Sequence, residues 1–278
     1  RFVNEGYDIP KPMIPVSGLP MVVQAASDLP ASEKQVFVLR KDMPGYIKIS
    51  SKLKDIYPAS VIRTVETVTP GQASTALEGL DALLESDKSV DGPITIGACD
   101  NGVLYDQQKL NNLFLNPDID VIVWAIRGYA NASRHPSMYG WINCAEDGLI
   151  KNISVKTPLK DTKVDPIVLG TFSFRRENHY RDAFEALVAR DGMINGEFYI
   201  DSLINDAIEL GLKCYIFEVD SYLCWGTPND LKTFEYWQSC FHKWKSHPYL
   251  LDNDARIPKH KLAGLKEQVQ SSTISVVK

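Results

Sequence analysis

Short runs of apolar, β-branched residues recur along this chain, and stretches with helical periodicity separate them. The runs are Gln35–Arg40, Val61–Glu66, Ile94–Cys99, Asp120–Ile126, Ile167–Phe174 and Lys213–Val219. Several are apolar at consecutive positions, the pattern of strands covered on both faces. Between them, Ala73, Ala76, Leu77, Leu80 and Leu84 recur at three- and four-residue steps after the turn Thr69-Pro70-Gly71, which predicts an amphipathic helix. Tyr180–Ala189, Ser202–Leu210 and Asn229–Trp244 read the same way, and Gly211 stands where a helix C-cap glycine belongs. This alternation predicts an α/β fold with one mostly parallel or mixed central sheet and helices on both faces.

Composition removes other classes. The 278 residues carry 30 Lys+Arg against 35 Asp+Glu, a net charge of −5, so nothing complements a nucleic-acid backbone. No run approaches the about 18 apolar residues of a membrane-spanning helix. A chain of this length buries a sufficient core without staples. Cys99, Cys144, Cys214, Cys224 and Cys240 are odd in number and widely spaced, which argues against a disulfide framework or a structural zinc site. With no leader of the secretory type, a reducing cytoplasm is the expected setting. No Gly-x-Ser-x-Gly elbow occurs and the histidines have no metal-ligand spacing, so a Ser/His/Asp hydrolase is disfavoured. Past His247 the sequence turns polar and aperiodic. We therefore expect one domain over residues 1–245 and an extension over 246–278, either loosely packed, or an oligomer contact or a linker to a further domain.

Four segments carry residues suited to phosphate chemistry. Pro10 and Pro12 hold Lys11 on a stiff loop, where an ammonium meets phosphate as a point charge. Thr69-Pro70-Gly71-Gln72-Ala73-Ser74 is a strand–turn–helix junction whose backbone N–H groups suit an anion or a base edge. Ile94–Gly102 is an apolar strand ending on Asp100-Asn101-Gly102, a carboxylate at the strand edge where α/β ligands bind and where a hard divalent cation is at home. Phe217–Leu231 contains the turn Gly226-Thr227-Pro228-Asn229-Asp230, with Asn229 as the expected N-cap. After it, Phe234, Trp237, Phe241 and Trp244 are spaced as a packed helix face. Taken singly, each has an ordinary structural reading: a solvated loop, a helix start, a capping turn, exposed strand carboxylates.

In this order and spacing the segments resemble the sugar-nucleotidyltransferase family, the nucleotide-sugar pyrophosphorylases. Arg1-Phe2 and Pro10-Lys11-Pro12 match the end of the family's Gly-rich loop (Gly-x-Arg-Phe/Leu) and the Pro-Lys-Pro loop after it, and Ser17-Gly18-Leu19-Pro20-Met21 matches the continuation. Asp100 matches the metal-binding aspartate, and Gly71-Gln72-Ala73 resembles the base-binding turn. Lys156-Thr157-Pro158 looks like the lysine that contacts the acceptor phosphate, and Gly170 with Thr171-Phe172-Ser173-Phe174 resembles the acceptor-side strand. Gly196-Glu197-Phe198-Tyr199 resembles the acidic sugar contact, and Trp225-Gly226-Thr227-Pro228-x-Asp230-Leu231 the closing motif.

The resemblance implies a Rossmann-like fold of the GT-A type and a Mg²⁺-dependent enzyme. Its reaction would join an NTP to a phosphorylated small molecule, foremost a sugar 1-phosphate, releasing pyrophosphate. It implies catalytic roles for Arg1 and Lys11, nucleotide binding by Gly71, Gln72 and Ser74, and acceptor binding by Lys156, Gly170 and Glu197. The metal would lie on Asp100, with Asp220 put forward as second ligand because Cys224 stands where an aspartate is common. Val155 replaces a frequent glutamate. Tyr139 and Trp141 are further candidates for the acceptor site, Trp141 equally for the core. The family's glycines and first strand would precede Arg1, so the resemblance implies a native polypeptide extending upstream. Self-association stays open. So do three alternatives: a non-sugar phosphomonoester acceptor, a GT-A glycosyltransferase (disfavoured because Asn101-Gly102 follows Asp100 where Asp-x-Asp is usual), and a non-catalytic nucleotide-binding relative.

Overall fold

The computed structural model describes residues 2–243, 251–253, 255 and 257–267. Its first elements are β1 (Pro15–Val16), β2 (Leu19–Pro20), α1 (Met21–Ser27), β3 (Val36–Arg40), α2 (Tyr46–Ile56), β4 (Val61–Val65), α3 (Gln72–Ser86), β5 (Ile94–Ile96), β6 (Asn101–Leu104) and α4 (Gln107–Leu115). There follow β7 (Val121–Ile126), α5 (Ala130–Arg134), β8 (Gly140–Cys144), β9 (Ile150–Val155), β10 (Ile167–Phe174), α6 (Glu177–Ala189), α7 (Ile200–Glu209), β11 (Cys214–Glu218), β12 (Ser221–Cys224) and α8 (Pro228–Lys243). They form two compact units: the described residues up to Pro30 with Gly97–Leu110 and the described residues from Val219, and Ala31–Ile96 with Asn111–Glu218. Both draw on residues 1–245, the span read above as one domain.

The second unit holds a mixed sheet in the order β11-β7-β10-β8-β9, with β5 added to β10. Residues Val121–Ala125 of β7 are all buried, as expected of a strand covered on both faces. The sheet is less parallel than the sequence pattern suggests. Only β7–β11 is parallel, whereas β10 runs antiparallel to β5, β7 and β8, and β8 to β9. A parallel β3–β4 pair forms its own ladder. Strands β8 and β9 join through a short turn, and antiparallel neighbours need no crossover helix. Apolar runs alone do not reveal strand direction.

Tyr180 shows how the helices lock on. Its ring meets Phe174 edge-on at 5.1 Å, and its hydroxyl donates to the Ala73 carbonyl at 2.7 Å. The C-cap predicted for α7 is a Schellman turn. Gly211 has φ +86, its N–H reaches the Ile208 carbonyl at 2.9 Å, and the Leu212 N–H reaches Ala207 at 3.0 Å. On α7 the carboxylate of Asp206, 2% exposed, accepts a forked contact from Arg190, which also reaches Ser202.

The first unit is built mostly from loops and short elements. Ser17 (φ +52) and Gly18 (φ +85) make the two-residue turn between β1 and β2, a geometry matched to strand twist. Phe2, Ile14, Val16, Met21, Ala25, Trp225 and Leu231 form its core, and β6 pairs antiparallel with β12. The cap of α8 is Thr227, not Asn229: its hydroxyl accepts the Asp230 N–H at 3.2 Å and donates to the Asp230 carboxylate at 2.7 Å. Pro228 then occupies N1, where its missing N–H costs nothing. The aromatic stripe is also corrected. Leu231 is buried and Phe234 lies on Trp225 at 5.6 Å, but Trp237 is 57% exposed. The packed side continues through Gln238, which donates to Ser17, so Trp237 stands one residue off that face. The side chains of Phe241 and Trp244 lie outside the described residues. No helix among the described residues is long and apolar enough to cross a membrane.

Candidate active site

The residues singled out from the sequence fall on both units. In the first, Pro10 (φ −60, ψ 145) leads into a single 3₁₀ turn over Lys11–Met13. The stiff loop delivers the Lys11 ammonium to Asp100, 89 residues away, in a direct ion pair. The ammonium also lies 5.8 Å from the centroid of the Phe2 ring. The two side chains are 33% and 27% exposed, so the pair is open to a ligand. Asp100 is anchored through its carbonyl, which accepts the Trp225 N–H at 2.9 Å. A Cβ at Gly226 would come 3.2 Å from Asp100 Oδ2, so glycine keeps space beside the carboxylate. Magnesium is usually held by one or two carboxylates together with substrate phosphates, and Asp100 is a donor of that kind.

Cys224, near the same carboxylate, donates to Asp230 and accepts the Gly226 N–H, each at 3.5 Å. Burial first, then the charges of Asp230 and Asp100, push its thiol up to about 11, so it remains a thiol near neutral pH. Asp220 does not join Asp100. Ser221 pairs with Leu104 and Cys224 with Asn101, which puts the two aspartates beyond opposite ends of the ladder, on the order of 15 Å apart at strand rise. The Asp220 carboxylate is instead paired with Lys261 at 2.6 Å. One ion with oxygen ligands at about 2 Å cannot take both. Among the described residues, no three His, Cys, Asp or Glu side chains group to hold a metal unaided. Arg1 lies outside the described residues.

A further carboxylate, Asp28, follows α1. It accepts from Gln24 at 3.3 Å and lies so close to Gly102 that any Cβ there would overlap it. Burial pushes its pKa up to about 7, against hydrogen bonds from Gln24, the Val103 backbone and Ser27.

In the second unit Gly71 has φ +116, and a Cβ there would fall 2.6 Å from both the nitrogen and the oxygen of Phe198. That close approach lets Phe198 N–H bond to Pro70 at 2.8 Å and Ala73 N–H to Phe198 at 3.0 Å. The start of α3 is thereby strapped to the Gly196–Phe198 loop, bringing Gly71 beside Glu197. Gln72 is exposed and Ser74 half-buried, while the Ala73 N–H is already used.

Lys156 follows β9 with φ +60, a left-handed backbone unusual for lysine. Its N–H bonds Tyr139 at 3.1 Å, its Nζ donates to the Met138 carbonyl at 2.7 Å, and the ammonium lies 5.3 Å from the Tyr199 ring centroid. Tyr199 is hydrogen-bonded to Glu197, so these two acceptor candidates share one cluster. Gly170 (φ +77) marks the bulge between Val168 and Phe172, where β10 slips on β7. Trp141 is fully buried with its indole N–H on Pro136 at 2.8 Å, and so belongs to the core. Sequence reading did not single out Tyr199 as a lysine partner, nor Asp201 and Gly140. Asp201, half-buried in the first turn of α7, is pushed up to about 6 by desolvation, opposed by the charge of Lys156 and a backbone hydrogen bond. Its only sequence signal is a carboxylate four residues after Glu197.

No family model and no curated protein matches this sequence. Solved structures do match in shape. A nucleoside-diphosphate-sugar pyrophosphorylase from Vibrio cholerae RC9 superposes with a TM-score of 0.68 at 21% identity, over 84% of this chain and 94% of that one. An inositol-1-phosphate CTP transferase from T. maritima gives 0.62 at 15%, over 84% and 87%. A putative glucose-1-phosphate thymidylyltransferase from Bacillus anthracis gives 0.63 at 19%, over 82% and 86%. The chain therefore has the fold these nucleotidyltransferase structures share.

Proposed function

We propose that the protein is a nucleotidyltransferase that joins an NTP to a phosphorylated small molecule, foremost a sugar 1-phosphate, and releases pyrophosphate. An oxygen of the acceptor phosphate attacks the α-phosphorus, the bond from that phosphorus to the β-phosphate bridge breaks, and pyrophosphate leaves with the electron pair. Both substrates are anions, so the protein's contribution is to position them and neutralise charge. The observation that carries this reading is the Lys11–Asp100 pair, a half-buried cation beside a carboxylate with space kept at Gly226. Lys11 faces the triphosphate and the charge that develops on leaving pyrophosphate. Asp100 would hold Mg²⁺, which when bound neutralises phosphate charge. The Gly71–Ser74 turn receives the nucleoside, and Lys156, with ammonium protons to spare beyond its one carbonyl, orients the acceptor phosphate.

A second reading keeps the reaction but changes the acceptor to a non-sugar phosphomonoester. It is favoured by the likeness to an inositol-1-phosphate transferase. Both are tested by incubating the five common NTPs with sugar 1-phosphates and with small phosphomonoesters and following pyrophosphate release. Turnover with a sugar 1-phosphate supports the first reading, and turnover only with other phosphomonoesters the second. Nucleoside diphosphate release from a nucleotide-sugar would indicate a glycosyltransferase, and no turnover in any pair would overturn the proposal.

A further inference from the structure

Lys156 is held differently from Lys11. Its backbone is left-handed, its ammonium donates to one carbonyl, and an aromatic ring covers another side. No carboxylate forms a salt bridge with it among the described residues, yet a half-buried one, that of Asp201, interacts with its charge. Asp201 is admitted there by Gly140, where any side chain would overlap the carboxylate. Gly140 opens β8 directly after Tyr139, whose carbonyl takes the Lys156 N–H. Two consecutive residues thus fix the lysine backbone and make room for its counter-charge. Desolvating a carboxylate is costly unless something nearby compensates, and the charge that favours the ionised form of this one is that of Lys156.

We infer that Asp201 is a positioning residue for Lys156, and that Gly140 is glycine in order to seat it. The inference rests on Lys156 reading the acceptor phosphate. The carboxylate forms no salt bridge with the ammonium, but it lies against Gly140, which pairs with Val155 next to Lys156 across the β8–β9 ladder, and its charge acts on the lysine there. Two N–H groups are left for an anion. A direct salt bridge would instead have made the phosphate compete for the ammonium.

The test uses the intact protein and the variants Asp201→Asn, Gly140→Ala and Lys156→Met. Asp201→Asn is close in shape but uncharged. It should raise the KM for the phosphorylated acceptor about tenfold, the scale on which removing a group that orients a ligand-binding residue acts, while kcat and the KM for NTP change less than about twofold on the same scale. Gly140→Ala, which displaces the carboxylate, should shift the same constant in the same direction. Inorganic phosphate binding, followed calorimetrically, should be lost in Lys156→Met and weakened in Asp201→Asn. That arm needs no turnover, so it separates failure of the positioning role from failure of the proposed reaction. If Asp201→Asn lowers the acceptor KM, or leaves acceptor and phosphate affinity unchanged, the inference is wrong. It is equally wrong if the variants only lower the melting temperature, with kcat and both KM values moving together. Should Asp201→Asn not fold, Gly140→Ala decides by the same criteria.

Discussion

Two lysines, one on each unit, are candidates for the same kind of work and are held by opposite means. Lys11 gets its stiffness from the prolines on either side and its counter-charge from direct contact with Asp100. Lys156 gets its stiffness from hydrogen bonds to two neighbouring carbonyls and its counter-charge from Asp201, which forms no salt bridge with it. The units around them differ likewise. The one bearing Lys11 packs loops and short elements around Phe2, Trp225 and Leu231, whereas that bearing Lys156 has a continuous sheet-and-helix core from Ala73 to Cys214. An exposed pair adds little stability and stays available to ligands, while a buried one must be satisfied internally.

The largest effect that tests this contrast is on stability. Arg190→Ala leaves the Asp206 carboxylate, 2% exposed, without its forked partner. It should cost about 3–5 kcal/mol in denaturant melts. Lys11→Ala breaks a pair that is a quarter to a third exposed and should cost at most about 1 kcal/mol. If the two losses are alike, the distinction between a structural and an available ion pair fails.

Next comes activity, where the order reverses. Lys11→Ala and Asp100→Asn should each lower pyrophosphate release by on the order of 10²–10³ in kcat, while Arg190→Ala, assayed where it is folded, keeps its turnover. A Lys11→Ala enzyme within about tenfold of wild type would remove Lys11 from the chemistry.

Each unit also holds a half-buried carboxylate whose pKa desolvation raises, Asp28 to about 7 and Asp201 to about 6. Both values lie above that of an unfolded aspartate, so between these limits the native state binds more protons than the unfolded one. Stability must therefore fall as pH rises from about 4, through Asp201 to about 6 and through Asp28 to about 7. Asp28→Asn should flatten the upper part of that fall, read from urea midpoints between pH 4 and 8. An unchanged slope would contradict the raised pKa of Asp28. The smallest effect is local: Thr227→Ala removes the cap of α8 and should cost about 1 kcal/mol in the same melts, whereas Asn229→Ala should be nearly silent.

Much of the fold was legible because its signals are local. The runs at 35–40, 61–66 and 120–126 are strands, the repeat from Ala73 is α3, and Gly211 closes α7 in a Schellman turn. Thr227-Pro228-x-Asp230 held the cap in plain view, since proline at N1 points to the residue before it. β8 and β9 were missed because their buried positions follow neither a helical nor an alternating rule. Of the site residues, Lys11 meets Asp100, Gly71 lies beside Glu197, and Lys156 lies against Tyr199, which is hydrogen-bonded to Glu197. Asp220 was misplaced, since only the β6–β12 register shows which end of that ladder it occupies.

By itself, then, the sequence determined the alternation of strand and helix, the stiff seat of Lys11 and the need for glycine at 71 and 211. These depend on φ preferences and on neighbours within a turn or two. Tertiary structure alone decided the antiparallel course of β10, the separation of Asp220 from Asp100, the exposure of Trp237, and the meeting of Lys156 with Tyr199 and Asp201. Those depend on register and burial, which arise from pairings between residues far apart in the chain. No local preference encodes them, because the same side chain is a solvated charge or a buried one according to what folds against it.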